Sequence, residues 1–420
     1  MKLVEIEEKE YNQFIKKIDK YNFFQSIEWA KFKSKTGWEM NVVGLFDNKK
    51  LVAATTLLSR KLPMINKKMY YAPRGFAIDY NDFKLLGEFT KQLKSYIKSN
   101  SGIFLKINPY IEYIKRDKDG NALSEGNDKL VDYLKSLGYV HYGFYKDAKD
   151  KKDLEPRWIS VLDLKDKSTE QLLKEMRQTT RWMINKSRKN CISITVASYD
   201  DIEKFKKIMN HTAERREFSD RSLSYYQTMY NTLKEHGMIR IMLASINLDD
   251  LKKSMILDIE HLKDRIKNIE SNFKKQNQVN EYNSQIEAIE KRLKALEEDI
   301  KLYGSSPTIA AGLYLSYGKE IVYLFGGSYK EFMGYGAQYL MQYEMIEYAK
   351  ENGYDRLNFY GIDGNFSKDS ENYGLFDFKR GFNSDVVELI GEFDLIISKF
   401  YYSTYNMMLK FYKYLRKIKK

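Results

Sequence analysis

One cysteine, Cys191, stands in 420 residues, which excludes a disulfide framework and any zinc or iron–sulfur site built on several thiolates. Histidine is scarce too. His141, His211, His236 and His261 are widely scattered and form no HExxH-type pair, so no metal site is expected. No apolar run approaches the roughly 20 residues of a membrane span. The opening stretch, MKLVEIEEKEYNQF, is charged from the start and lacks the apolar centre of a secretion signal. There is no Ser-His-Asp order, P-loop or Rossmann glycine pattern, and the GYG at Gly334–Gly336 is too short to count as one. These absences predict a water-soluble protein of a reducing compartment, without a covalent nucleophile and without ATP activation.

What is present is a large, aromatic, basic chain. With 43% hydrophobic and 15% aromatic residues it can bury the cores of two or three domains. Lysine and arginine number 71 against 58 acids, a net charge of +13. The placement matters more than the size. Residues 171–190 hold six cations (Lys174, Arg177, Arg181, Lys186, Arg188, Lys189) against Glu175, and 401–420 hold six more and no acid. Such concentration suits a polyanion: nucleic acid, a nucleotide phosphate or an anionic membrane face.

The pattern of elements repeats. Residues 41–58 read as two strands joined by a tight Asp47-Asn48-Lys49-Lys50 turn. A third strand (69–78), an amphipathic helix (82–99), a strand (103–109), a helix and a strand-like segment (137–145) follow. The order recurs in 239–247, 308–317, 320–329, the helix 336–353, the strand 355–362 and the segment 373–383. Helical stretches at 8–35 and 200–236 precede both sets. Two copies of one mixed α/β unit are predicted, in the element order of an N-acetyltransferase fold. The boundaries are drawn at 1–150 for the first domain, 151–246 with 304–395 for the second, and 396–420 for a basic C-terminal helix.

Copy two carries an insertion, 247–303. Met255, Ile259, Leu262, Ile266, Ile269 and Phe273 follow a 4-3 spacing, and Tyr282, Ile286, Ile289, Leu293, Leu296 and Ile300 repeat it. Two such seams around a polar turn predict an antiparallel coiled-coil hairpin projecting from the body. Its charge is nearly balanced, 11 basic against 12 acidic residues over 248–302, so it is no simple electrostatic clamp.

An acyl transfer to an amine needs no nucleophile when the acyl group arrives as an ester. It needs the amine and ester aligned, and donors facing the developing oxyanion. At this point the chain resembles the FemABX family of aminoacyl-tRNA-dependent peptidoglycan ligases. The resemblance rests on QSIEWAK (25–31) with TGW (36–38), YAPRGFAIDY (71–80), RQTTRWMINKSRKN (177–190), AERREFSDRSLSYY (213–226) and YGLFDFKRGF (373–382). The C-terminal stretch is most similar to the branch adding the first bridge residue to lipid II. The resemblance implies two acetyltransferase-like domains and no cofactor, with charged tRNA as co-substrate. It implies glycine, with alanine or serine as alternatives, added to a stem-peptide amine of lipid II or UDP-MurNAc-pentapeptide.

By the same resemblance Lys31 and Arg221 grip the precursor's phosphate, with Tyr225, Trp38 and Tyr323 also binding substrate. Phe378 and Lys379 stand near the transferred acyl group, Lys379 as the cation beside the oxyanion. Arg177, Arg181, Lys186, Arg188 and Lys189 are the expected tRNA contacts, and the basic tail an expected contact with the anionic inner leaflet of the cell membrane. Two positions depart from the family. Asn108 in KINPY stands where a family aspartate is common and cannot act as a base. Tyr323-Leu324-Phe325 lacks a second hydroxyl. Asp79, Asp363, Asp377 and the substrate's own carboxylate or phosphate are the candidate proton acceptors. An acyl-CoA-dependent N-acetyltransferase and a non-catalytic RNA-binding protein are the competing readings.

Overall fold

The Asp47-Asn48-Lys49-Lys50 turn closes a hairpin in the computed structural model of the chain, which describes residues 1–18, 22–63, 65–146, 154–269 and 273–418. Asp47 pairs with Lys50, and Asn48 takes a left-handed conformation (φ +54°) that asparagine tolerates. The next expected strand, 69–78, ends early, at Ala72. Arg74 and Gly75 both have positive φ (+58° and +86°) and turn the chain. A Cβ on Gly75 would lie 2.3 Å from the Tyr80 hydroxyl, so only glycine fits. Asn108 Oδ1 accepts the Arg74 N–H at 2.8 Å and holds the turn.

Two sheets result. The first runs in the order Lys2–Glu5, Glu39–Asp47, Lys50–Lys61, Lys68–Ala72, Gly102–Ile107, Phe393–Ile396, Tyr139–His141. The second runs Glu112–Lys115, Asp385–Leu389, Trp158–Asp163, Arg356–Gly361, Glu320–Ser328, Thr308–Tyr317, Ile239–Ile246, Ile192–Val196. In each, one neighbouring pair is parallel, Lys68–Ala72 with Gly102–Ile107 and Glu320–Ser328 with Arg356–Gly361. The chain thus carries two acetyltransferase-like domains.

Sheet membership does not follow the boundaries read from the sequence. Phe393–Ile396, placed by sequence at the end of the second domain, pairs with Gly102–Ile107 and Tyr139–His141 of the first sheet. Glu112–Lys115, from the first 150 residues, pairs with Asp385–Leu389 of the second. The cause is side-chain alternation. Phe393 and Leu395 are fully buried beside Phe89 and Leu105 in the first core. Each such burial contributes about 1.5–3 kcal/mol. Between them Asp394 turns the other way, to Lys106 at 2.9 Å. The boundary at residue 150 itself lies outside the described residues.

The insertion forms helices Leu248–Lys267 and Gln276–Tyr303. The Lys252–Glu297 ion pair (2.8 Å) and the Leu248 N–H bond to the Ser305 C=O (2.8 Å) fix them antiparallel. Met255, Ile259, Ile286 and Leu296 are buried along the seam, and Val279 extends it. The Phe273 side chain lies outside what is described. Leu248, Leu251, Met255 and Leu296 root the hairpin in the second core. A last helix, Lys399–Ile418, lays Tyr401, Tyr402 and Tyr405 against Leu62 and Phe104 of the first domain. Among the described residues no helix is long and apolar enough to cross a membrane.

Candidate active site between the two domains

Helix Ile27–Ser34 starts at an N-cap, Ser26, whose hydroxyl accepts the Trp29 N–H. It presents two lysines in opposite directions, because two residues along a helix rotate a side chain by about 200°. Lys31 points to the first helix of the chain and pairs with Glu8 at 2.6 Å. Lys33, not Lys31, faces the second domain. Its amine sits 5.6–5.9 Å from the rings of Trp29, Phe32, Trp38 and Tyr225. Arg221, from the start of the second domain's helix Leu223–Leu233, lies over the same Tyr225 ring at 5.4 Å, and Arg60 lies over Trp38 at 5.9 Å. Burial pulls the Lys33 pKa down to about 8, with Arg221 adding to the effect and Glu155 opposing it. Three cations around two aromatic rings make a site for an anion, with Lys33 and Arg221 supplied by different domains.

Further into the interior, the buried Arg74 guanidinium packs over Phe24, Tyr110 and Tyr360 and donates twice to the Pro156 C=O, at 3.2 Å each. Tyr360 stands where the sheet loosens. The parallel pairing beside it runs only from Glu320–Arg356 to Val322–Asn358, a bulge follows, and Tyr360 itself has φ +65°. Asn358 Oδ1 accepts the Tyr360 N–H at 2.8 Å and stabilises this unusual backbone. The Tyr360 hydroxyl donates to Glu155. Its C=O and that of Gly361 accept from Lys379 Nζ at 3.3 and 2.6 Å. Lys379 is 4% exposed and, among the described residues, has no carboxylate within ion-pairing distance. Burial lowers its pKa to about 7.

The remaining expected residues are spread out. Phe378 packs edge-on against Tyr339 (4.9 Å) and Phe382 (5.4 Å). Tyr323 stacks on Tyr314 at 5.0 Å and donates to Gln338 at 3.1 Å, in the second core rather than beside Lys33. Arg177 is tied to Asp377 (2.9 Å), and Arg181 donates to the C=O groups of Lys174 and Met176 (2.7 and 2.6 Å). Arg188 lies over Tyr343 at 5.2 Å. The open face of helix Gln178–Lys189 holds Lys189 and the pair Lys186–Trp182 (4.9 Å), with Trp182 59% exposed. Of the expected bases, Asp377 is held ionised by Arg177 and Arg380, which outweigh its burial. Asp79 accepts from Asn81, and Asp363 from Asn372 at 2.6 Å. Asn108 clamps a backbone turn.

A profile of the FemAB family matches residues 6–410. The chain belongs to the FemAB family. Over 423 aligned positions it is 32% identical to the protein named aminoacyltransferase FemA from Staphylococcus aureus strain MW2, covering 98% of this chain and 99% of that one. FemA from strain MRSA252 gives the same figures. The crystal structure of FemX superposes with a TM-score of 0.74 at 26% identity, over 96% of this chain and 99% of that one. This FemAB protein is an aminoacyltransferase.

Sequence reasoning missed Lys33, Glu155, Tyr360 and Trp182. A signal existed for Lys33, which lies four residues after Trp29 on one helix face. None existed for Glu155 and Tyr360, which are 205 residues apart and meet only through the fold.

Proposed function

We propose that this FemAB protein transfers an amino acid from charged tRNA to the side-chain amine of a peptidoglycan stem peptide. The amino acid is glycine, with alanine and serine as the other small candidates. The acceptor is lipid II, or UDP-MurNAc-pentapeptide as the soluble carrier of the same stem. Charged tRNA is the co-substrate and no cofactor takes part. One observation carries the reading: a two-domain anion clamp, Lys33 with Arg221, is linked through Glu155 and Tyr360 to a buried lysine whose amine faces strand carbonyls. Phosphate held at the clamp orients the stem. An ammonium has three donors, and two of those on Lys379 are used by the Tyr360 and Gly361 carbonyls. The third is available to the oxyanion of the ester under attack.

The acyl-CoA reading needs an open turn before helix Ala337–Glu351 to cradle pyrophosphate. That turn is covered. Ser187 Oγ donates to the Tyr335 C=O at 3.0 Å, and a Cβ on Gly336 would lie 2.5 Å from the Ser187 hydroxyl. A purely RNA-binding protein would have no use for a buried lysine that, among the described residues, has no carboxylate beside it. The C-terminal helix favours a place in the cytoplasm at the inner membrane face. Phe400, Met407 and Phe411, spaced seven and four apart, are 74%, 66% and 63% exposed, and the sequence around them is basic without an acid.

The test is to incubate the protein with lipid II and a mixture of charged tRNAs and weigh the product. The expected outcome is a precursor heavier by one glycine residue. A precursor left unmodified by every charged tRNA overturns the reading.

A further inference from the structure

Glu155 has no part in the roles above. It precedes Pro156, whose C=O is fixed by both terminal nitrogens of Arg74, so the backbone beside the carboxylate is anchored. The Tyr360 hydroxyl donates to its Oε2, and the Tyr360 C=O accepts from Lys379. Glu155 and Lys379 therefore stand at opposite ends of one tyrosine. Among the described residues, the groups around the carboxylate include Lys33, Tyr71, Arg74, Tyr225 and Tyr360, from both domains, and each senses its charge. Glu155 is half-buried and stands between groups of both domains, whereas Asp79, Asp363 and Asp377 bond within other elements.

The chemistry needs such a group. A stem-peptide lysine has a reference pKa near ~10.4, so it arrives as an ammonium with no lone pair to attack with. The cations gathered near Glu155, Lys33 and Arg74 with Arg221 beside them, all repel it. We infer that Glu155 receives the acceptor ammonium and takes its proton; this rests on the aminoacyl-transfer reading above. The step balances as follows. One proton passes from nitrogen to the Glu155 carboxylate, the freed lone pair forms the N–C bond, and the ester carbonyl electrons move onto oxygen beside Lys379. Collapse breaks the C–O bond to the terminal ribose. The ribose oxygen takes the second proton shed by nitrogen, and Glu155 releases its proton to water.

The test compares wild type, Glu155→Gln and Glu155→Asp on two acceptors with one charged tRNA. One acceptor is the precursor with its stem lysine. The other replaces the lysine amine by a weakly basic aminooxy group, already unprotonated at neutral pH. Gln keeps an oxygen for Tyr360 to bond, and Asp keeps the carboxylate. The expected result for Glu155→Gln on the lysine acceptor is a kcat about 10²-fold lower, with KM nearly unchanged. The loss should shrink as pH rises toward the amine's own pKa. On the aminooxy acceptor its rate should stay within a few-fold of wild type, and Glu155→Asp should retain most activity on both. Equal losses on both acceptors, or none on either, overturn the proposal and leave Glu155 a positioning or passive residue. If wild type itself transfers nothing to either acceptor, the underlying reading falls, and this one with it.

Discussion

A single burial decides what Lys379 can do. Its amine is buried against two carbonyls, with no carboxylate beside it among the described residues, so its pKa falls to about 7 while the unfolded chain keeps the ordinary lysine value. Between those two values the unfolded chain binds one proton more, so stability rises with pH across that window. Below about 7 both states are charged and the full burial penalty remains. Lys379→Met is therefore expected to melt higher than wild type at pH 6–7, by an amount on the order of a few kcal/mol, with the difference fading toward pH 10. The same variant should lose about 10²–10³ in turnover with precursor binding retained. Lys33→Ala, in contrast, should raise the precursor KM about tenfold or more, while Lys31→Ala should leave it nearly unchanged. Thermal melts at several pH values and steady-state kinetics of the three variants check this. A Lys31→Ala effect larger than that of Lys33→Ala would return the anion site to the other face of the helix. The sequence motif named Lys31, and on the same helix it is Lys33 that faces Tyr225 of the second domain, since a motif gives order along the chain and not direction around an axis.

At the scale of elements, long periodic segments were legible and short ones were not. The 4-3 seams announced the arm because a dozen apolar residues shared one spacing. The four-residue strands Glu112–Lys115 and Phe393–Ile396 carry too few alternations to be told from loops, and no local feature says which sheet they join. The basic helix Gln178–Lys189 shows a different limit. Its charge was legible, yet Arg177 and Arg181 have intramolecular partners that only the fold supplies. The open surface holds Trp182 with Lys186 and Lys189, and Arg188 is exposed beside them over Tyr343, a ring and cations suited to stacking a base beside a phosphate. Trp182→Ala is expected to weaken charged-tRNA binding by about 1–3 kcal/mol with its salt dependence intact. Lys186→Glu with Lys189→Glu should flatten the salt slope by about one for each phosphate no longer neutralised. Titrations at several salt concentrations separate the two. Unchanged affinity in both variants would move the tRNA surface off this helix.

For the whole molecule the shared strands are decisive. Phe393 and Leu395 complete the first core, and Glu392 and Asp394 neutralise Lys106, so removing residues 392–420 strips the strand between Gly102–Ile107 and Tyr139–His141 and leaves a largely buried cation unneutralised by these two acids. Wild type is expected to unfold in one cooperative transition, and a chain ending at residue 391 to lose the folded first domain although residues 1–146 are intact. Calorimetry and hydrogen exchange test this. Two separated transitions, with 1–146 folding alone, would show that the exchange is dispensable.

That strand has a consequence in time as well as in space. On the ribosome the chain emerges from its N-terminus at about 5–20 residues per second, so the interval between Tyr139–His141 and Phe393–Ile396 amounts to roughly 12–50 s. Throughout it, the edge of Gly102–Ile107 that Phe393–Ile396 covers in the folded protein lacks its native partner. On that expectation the nascent first half waits for the strand Phe393–Ile396, a message cut before it should yield no folded half, and a shortage of folding helpers should strike this protein before its two domains are complete.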